Sequence, residues 1–193
     1  MLDGQLTSIR PIIEEDIDTL FQWYSDQEVN LWATGAWPLN TLLNKEQLAE
    51  RFLTETTDIR SYAILAEDEQ FIGVIGFREF NIPARSAALF IVLGAKTHWD
   101  RGYGSDAMIT FLHFLFRQWN LHRISLETWD GNHRAIKTYE KAGFAIEGRQ
   151  REAYFVLGRY HDAILMGLLQ DEFFALHGKT RLYSGTQNHS EHK

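Results

Sequence analysis

The chain has 193 residues, of which 45% are hydrophobic and 13% aromatic, and this composition predicts a single compact globular domain. The absence of cysteine excludes disulfides, cysteine-ligated zinc, iron–sulfur clusters and a thiol nucleophile. Nineteen Lys and Arg residues against 26 Asp and Glu residues give a net charge of −7, which repels nucleic acids and tolerates cationic substrates.

The two ends of the chain bear on its location and domain organisation. Met1–Gln5 contains no basic region followed by an apolar run, and no stretch is long and apolar enough to span a bilayer. We therefore expect a cytoplasmic protein without a membrane partner. Residues 1–183 are predicted to form one domain, and Ser184–Lys193, which lacks apolar positions, is predicted to be a disordered polar tail.

The first part of the chain is predicted to form two helices separated by an irregular stretch. Apolar residues recur with helical spacing over Glu14–Tyr24. Asn44, followed three residues later by Gln, resembles a capping box at the start of a second helix. The stretch Asn30–Asn40 between them carries Trp32 and Trp37, which either form the wall of a substrate pocket or pack on the surface.

The middle of the chain alternates between short apolar runs and turns, which is typical of strands. The runs Tyr62–Ala66, Phe71–Phe80 and Ala87–Leu93 predict an antiparallel meander. A helix over Ser105–Trp119 and a strand over Arg123–Thr128 follow. Because a strand, a helix and a strand occur in this order, a parallel crossover is expected.

The last part of the chain continues this mixture of helices and strands. Asn132 is a predicted N-cap for a helix over His133–Ala142, and Gly143 is expected to end that helix in the left-handed conformation. Two strands are predicted at Arg151–Val156 and Tyr160–Leu168. The predicted fold class is therefore α/β (α+β), with a mixed, mostly antiparallel sheet.

The segment Trp99–Ala107, with the sequence WDRGYGSDA, leads directly into the long predicted helix. The first amides of a helix have no partner within the helix, and glycines at 102 and 104 let a phosphate approach the backbone closely. The segment therefore predicts a pyrophosphate site. A structural glycine turn is the alternative.

Two other nucleotide motifs are matched only in part. The pattern GxGxxA beginning at Gly102, with Glu127 as a ribose-binding acid, formally fits a dinucleotide fingerprint. Against that interpretation, Gly94–Arg101 separates the preceding strand from the first glycine, and the preceding strands form a meander. The GKT beginning at Gly178 resembles a Walker loop, but Phe173 occupies the position of its first glycine.

Two segments together resemble the GNAT N-acetyltransferases. Trp99–Ala107 resembles the acetyl-CoA loop of that family, and Asn132–Phe144, with the sequence NHRAIKTYEKAGF, resembles its Asn and Tyr-x-Lys-x-Gly-Phe segment. Further segments are typical of the RimJ/RimL-like branch, so that the resemblance covers about Ile9 to Phe173. These segments are Ile9–Pro11 with Glu15–Asp16, Trp23 with Asp26–Val29, Glu147–Arg149 with Arg151–Glu152, and Gly158–Asp162, which reads GRYHD.

The resemblance implies a GNAT fold, in which the central sheet splays open, helices cover both faces, and acetyl-CoA binds between the splayed strands as a co-substrate. The implied binding residues are Arg101, Gly102, Tyr103, Gly104 and Ser105 for the pyrophosphate, and Ile91, Val92, Leu93 and Asn132 for the pantetheine arm. It also implies that Tyr139 lies near the thioester sulfur.

Acyl transfer from sulfur to nitrogen needs a neutral amine, a donor to the developing oxyanion and a proton for the leaving thiolate. A tyrosine hydroxyl, with a pKa of about 10, is protonated at neutral pH and can supply that proton. Tyr139 is therefore the predicted general acid as well as a cofactor contact. Its alternative role is that of a core residue on the helical face that also carries Ala135 and Ala142.

The general base is less evident. Members of the branch often carry Glu in the strand before the loop, at a position that is Ala88 here. Glu79 and Glu127 are the candidates for a base acting through water, and a solvated or salt-bridged role is the alternative for each. Asp100, where the branch usually has Gly, places a negative charge beside the pyrophosphate, which Arg101 is expected to compensate.

The predicted function is direct transfer of acetyl from acetyl-CoA to a primary amine, without a metal or a covalent enzyme intermediate. The RimJ/RimL-like resemblance implies a protein N-terminal α-amine, whose pKa of about 8 suits a weak base. The alternatives are a small amine, such as a polyamine, an aminoglycoside or an amino-acid derivative, and a non-catalytic acyl-CoA-binding module. No nucleic-acid partner is expected, and the protein is expected to be a monomer or a homodimer.

Overall fold

The computed structural model describes residues 1–34, 44–54 and 59–178. Strands in these ranges are β1 Leu2–Asp3, β2 Thr7–Pro11, β3 Ile59–Ala66, β4 Phe71–Asn81, β5 Ser86–Leu93, β6 Arg123–Trp129, β7 Ala145–Val156 and β8 Arg159–Leu169. The helices are α1 Ile17–Ser25, α2 Gln27–Thr34, α3 Lys45–Leu53, α4 Tyr103–Arg117, α5 His133–Ala142 and α6 Gln170–His177. No helix within these ranges is long and apolar enough to cross a membrane.

The strands form one mixed sheet in the order β1-β2-β3-β4-β5-β6-β8-β7. Neighbours from β1 to β5 run antiparallel, so the predicted meander is confirmed and is extended by two strands at its start. The pair β5 and β6 is parallel, as expected for strands joined through α4. Strand β8 then pairs antiparallel with both β6 and β7.

Helices cover both faces of the sheet because successive side chains of each strand point to opposite sides. On β3, Ala63 packs with the cluster that includes α1 and α3, whereas Ile64 packs with the larger cluster around α4, α5 and α6. Val74 and Ile75 divide in the same way on β4. The predicted class, a mixed and mostly antiparallel sheet between helices, is confirmed.

Three predicted helix ends are confirmed. The Asn44 side chain accepts from the Gln47 amide at 2.8 Å, and the Gln47 side chain accepts from the Asn44 amide at 3.0 Å, which completes the capping box of α3. At α5, the Asn132 side chain accepts from the Ala135 amide at 3.3 Å. Gly143 follows α5 with φ of 106°, the left-handed conformation that glycine adopts most easily.

The prediction of an irregular stretch from Asn30 is wrong as far as Thr34, because these residues belong to α2. The Asp26 carboxylate accepts from the amides of Glu28 and Val29 and so starts the helix. The side-chain amide of the buried Asn30 donates to three main-chain carbonyls, including that of Trp23 at 3.1 Å. These contacts offset the weak helical pattern. Trp37 and the predicted tail Ser184–Lys193 lie outside the described residues.

Candidate active site

The sheet opens between β5 and β6. The two strands pair only from Ser86 opposite Arg123 to Ala88 opposite Ser125. Beyond that point β5 continues to Leu93 and β6 to Trp129 without pairing to each other. The main chain of β5 therefore keeps β4 on one side and faces a gap on the other, which is the splay that the family resemblance implies.

Two cavities occupy this gap. The first, here called the cleft, measures about 440 Å³ and lies between the far end of β5, the first turn of α4 and α5. The second cavity measures about 600 Å³ and extends towards α1, α3 and β7. Ile91, Val92, Glu127 and Tyr139 line both spaces, so the two cavities adjoin at these residues.

The first turn of α4 forms one end of the cleft. Gly102 caps the helix with φ of 92°, a conformation that disfavours other residues, and Gly102, Gly104 and Ser105 line the cleft. Since α4 begins at Tyr103, the amides of its first turn have no partner within the helix. These features fit the polyanionic group expected there, which main-chain donors and the helix dipole would hold.

Two predicted members of this loop direct their side chains elsewhere. The Arg101 guanidinium donates to the Thr97 carbonyl at 3.3 Å and lies 5.6 Å from the Tyr103 ring centre. The Tyr103 side chain is buried in the core, with its hydroxyl 3.5 Å from Glu67. Neither Arg101 nor Tyr103 is among the residues that line the cleft.

The long wall of the cleft contains the residues predicted to contact a pantetheine arm. Ile91, Val92 and Leu93 line it, and the Leu93 carbonyl already accepts from the Trp99 indole at 2.8 Å. Asn132 lies opposite and is buried. Its Nδ2 donates to the Trp32 carbonyl at 2.8 Å, which leaves its second amide hydrogen for a ligand.

Tyr139 lies on α5 where the two cavities adjoin, and it also packs in the main core cluster. Tyr139 therefore packs in the core and also lines the candidate site, so the two alternatives predicted for it are compatible. Burial raises the pKa of Tyr139 to about 12. The hydroxyl consequently stays protonated throughout the neutral range, which is the state that a proton donor requires.

The two candidate carboxylates differ in their surroundings. Glu127 lies at the junction of the cavities and accepts from the Tyr154 hydroxyl at 2.6 Å. Burial, together with this contact to Glu127, raises the pKa of Tyr154, so that its hydroxyl remains the donor. Both carboxylates are exposed, but Glu79 lines only the second cavity and has φ of 56° at an irregularity of β4. Geometry therefore favours Glu127 over Glu79.

Sequence reasoning missed Tyr154 because its contact depends on the pairing of β7 with β8. The register of that pair shifts between Gln150 and Tyr154. Such an irregularity changes the face to which the side chains beyond it point. No local pattern near Tyr154 places it beside Glu127, which is 27 positions earlier in the chain.

A set of basic side chains on the cleft was also missed. Arg134, Lys137 and Lys141 on α5 all line the cleft. Their spacing of three and then four residues places them on one helical face, a signal that is visible in the sequence. Basic side chains therefore line the cleft together with the main-chain amides of the first turn of α4.

Arg134, rather than Arg101, is the cation that lies beside Asp100. Its Nη1 is 3.5 Å from the Asp100 carboxylate, and its guanidinium lies 4.1 Å from the Trp99 ring centre and 5.6 Å from that of Trp32. Asp100 has φ of 58°, the conformation in which glycine is usual. The charge compensation that was assigned to Arg101 therefore belongs to Arg134.

Comparison with known proteins settles the family. Residues 7–145 match the Acetyltransferase (GNAT) domain family. The chain belongs to the GNAT acetyltransferases. It is 32% identical over 130 residues to the spermidine N(1)-acetyltransferase of Vibrio cholerae, a match that covers 66% of this chain and 75% of that protein. It is 24% identical over 178 residues to the spermidine N(1)-acetyltransferase of Escherichia coli K12, covering 92% and 93% of the two chains.

Solved structures agree on the fold. The crystal structure of the Vibrio cholerae spermidine N-acetyltransferase in complex with CoA and spermine superimposes with a TM-score of 0.79. That match has 24% sequence identity and covers 89% of this chain and 99% of the other. A GNAT acetyltransferase from Bacillus anthracis superimposes with a TM-score of 0.73 at 17% identity, covering 88% and 98% of the two chains.

These matches decide the enzyme class. The chain is an acetyl-CoA-dependent N-acetyltransferase, as predicted, and the alternative of a non-catalytic module is set aside. Acetyl-CoA is the co-substrate of the family, and the splayed strands, the first turn of α4 and the basic face of α5 fit it. Within the described ranges, no group of three or more His, Asp or Glu residues is arranged to hold a metal ion.

Proposed function

We propose that this GNAT enzyme acetylates the primary amine of a small molecule bound in the second cavity. The observation that carries the proposal is the junction at Tyr139 and Glu127, where a space of about 600 Å³ adjoins the cleft. That volume lies within the usual range for small-molecule sites. The relatives named spermidine N(1)-acetyltransferases support a small amine as the acceptor.

The residues at the junction supply the proton transfers. Acetyl-CoA provides the activated thioester that the amine attacks directly. Glu127 accepts a proton from the incoming ammonium through water, while the Tyr154 hydroxyl holds that carboxylate in place. Tyr139, whose hydroxyl burial keeps protonated at neutral pH, donates a proton to the departing thiolate. The small side chain of Ala88 leaves room in the second cavity beside these groups.

A protein N-terminal α-amine is the second candidate acceptor. The RimJ/RimL-like motifs favour it, including the GRYHD segment in β8. An α-amine is partly neutral at physiological pH and needs little help from a base. A small amine and a peptide N-terminus make different demands on the second cavity, since only the small molecule can be enclosed by it.

Thiol release from acetyl-CoA distinguishes the two acceptors. Small primary amines and short peptides with free N-termini are compared at equal concentration, with their N-acetylated forms as controls. We expect thiol release with small amines and none with the acetylated controls. Turnover with peptides alone would favour the second candidate. Failure of every small amine, with CoA binding still measurable by calorimetry, would overturn the proposal.

A further inference from the structure

The charged side chains of the second cavity are balanced in sign. Three carboxylates and three guanidiniums line it: Glu79, Glu127 and Glu147, and Arg51, Arg78 and Arg123. A site for a polycation is expected to present carboxylates that no protein cation neutralises. The pairing of these six groups therefore bears on the acceptor that the cavity accommodates.

Four of the six charges are already paired with each other. The Arg123 Nη1 donates to the Glu147 carboxylate at 2.7 Å, and a second contact joins Nη2 to the other carboxylate oxygen. This pair raises the pKa of Arg123 and lowers that of Glu147. The Arg78 Nε lies 3.4 Å from the Glu79 carboxylate. Glu127 and Arg51 are the charges left for an acceptor.

Glu127 and Arg51 belong to different parts of the cavity. Glu127 lies at the junction with the cleft, and its hydrogen bond from Tyr154 leaves its charge in place. Arg51 lies on α3, one of the helices on the opposite face of the sheet from α5. An ammonium at Glu127 would have its nitrogen beside Tyr139, where acetyl transfer must occur.

Two aromatic rings lie near the Arg51 guanidinium. Its guanidinium lies 6.0 Å from the Tyr24 ring centre and 5.8 Å from that of Phe52, and both rings line the cavity. Among the residues that the structure describes, no carboxylate pairs with Arg51. The Tyr24 hydroxyl is a second donor in the same part of the cavity, and the nearby Arg51 charge moderates the rise that burial causes in its pKa.

We infer that the acceptor is zwitterionic, with a primary ammonium that binds at Glu127 and a carboxylate or other anionic group that binds at Arg51 and Tyr24. A planar guanidinium donates two parallel hydrogen bonds to a carboxylate, which gives orientation as well as affinity. A diamine would instead place its second ammonium against the Arg51 guanidinium, a repulsive contact. This inference rests on the proposed function and narrows its substrate class.

The test compares acceptors of matched length that differ in one terminal group. 4-Aminobutyrate, butylamine and 1,4-diaminobutane end in an anion, a methyl group and a cation, and homologous sets of three to six carbons cover the unknown span. Thiol release from acetyl-CoA gives kcat/KM for each. We expect the aminocarboxylate of the best length to exceed the alkylamine by about tenfold or more, as for a charged hydrogen bond.

Variants of Arg51 assign the preference to this side chain. Arg51→Met should remove the advantage of the aminocarboxylate over the alkylamine, whereas Arg51→Glu should shift the preference towards the diamine. Lys45→Met is the matched control, because Lys45 lies on the same helix, pairs with Asp18 at 2.6 Å and does not line the cavity. Melting curves of all three variants check that they fold.

The outcomes separate this inference from the proposed function. A preference for the diamine in the unaltered enzyme, or an aminocarboxylate preference that Arg51→Met leaves intact, would overturn the inference alone. Absence of turnover with every small amine would overturn the proposed function and the inference with it. A preference for the aminocarboxylate that disappears in Arg51→Met and survives in Lys45→Met supports both.

Discussion

The cleft and the second cavity adjoin at the same residues but are built differently. The cleft is formed largely by three short segments, namely the end of β5, the loop into α4 and the helix α5. The second cavity draws its charged groups from α3, β4, β6 and β7. A cofactor site made from contiguous segments leaves a pattern in the sequence, whereas an acceptor site made from scattered side chains leaves none.

The largest expected effect is at the junction between the two cavities. Tyr139→Phe should lower kcat about a hundredfold or more, the usual contribution of a general acid, and leave the dissociation constant of CoA nearly unchanged. Steady-state kinetics and calorimetry measure the two quantities. Tyr103→Phe is the matched control, because that hydroxyl lies 3.5 Å from Glu67 and away from the cleft. Equal kcat in Tyr139→Phe and the parent enzyme would remove Tyr139 from the mechanism.

A smaller effect is expected from the carboxylate beside Tyr139. Glu127→Gln should lower kcat/KM at pH 7 by about tenfold to a hundredfold, because the ammonium loses its proton acceptor. The loss should shrink as the pH rises towards the pKa of the free amine, since the substrate then arrives neutral. Glu79→Gln should leave the pH profile of kcat/KM unchanged. A defect in Glu127→Gln that is independent of pH would contradict its role as a base.

On the cleft side, Asp100→Gly is expected to tighten CoA binding, because it removes a negative charge near the expected pyrophosphate and also relieves a left-handed backbone. Asp100→Asn separates the two causes, since Asn tolerates that backbone without the charge. Each variant should lower the dissociation constant of CoA about fivefold at low salt, because Arg134 no longer pairs with a carboxylate at position 100. The decrease should be smaller at high salt, which screens the charges. Calorimetry at two salt concentrations measures this, and an unchanged or weaker affinity would contradict it.

The smallest effect concerns the ion pair in the second cavity. Glu147→Gln should lower the free energy of unfolding at pH 7 by no more than about 1 kcal/mol, because the pair with Arg123 is partly exposed. The pKa of Glu147 is lower in the folded protein. Its contribution is therefore present above the unfolded pKa and is lost as the pH falls through the folded pKa. Denaturant unfolding of the parent enzyme and of Glu147→Gln at pH 7 and at pH 3 measures this contribution. An equal difference in the free energy of unfolding at the two pH values would contradict the prediction.

The sequence predicted most of the sheet and the helices α4 and α5 that border the cleft. The strands β3 to β6 and the caps of α3 and α5 follow from local patterns of apolar residues, glycine and asparagine. Helix α2 was missed because its pattern of apolar residues is weak, and hydrogen bonds from the Asn30 side chain to the carbonyls of Trp23, Tyr24 and Asp26 stabilise it. Strand β2 was also missed, since its five residues are defined by their pairing with β3.

The same division holds for the site. The sequence by itself determined the family and the co-substrate and predicted a role for Tyr139, because a glycine-containing loop before a helix and a capped helix are local structures whose chemistry depends on nearby residues. The pairing of Glu127 with Tyr154, the position of Arg134 beside Asp100 and the pairs of Arg123 with Glu147 and of Arg78 with Glu79 were decided only by the tertiary structure. These contacts depend on strand register and helix packing, which join residues that are distant along the chain.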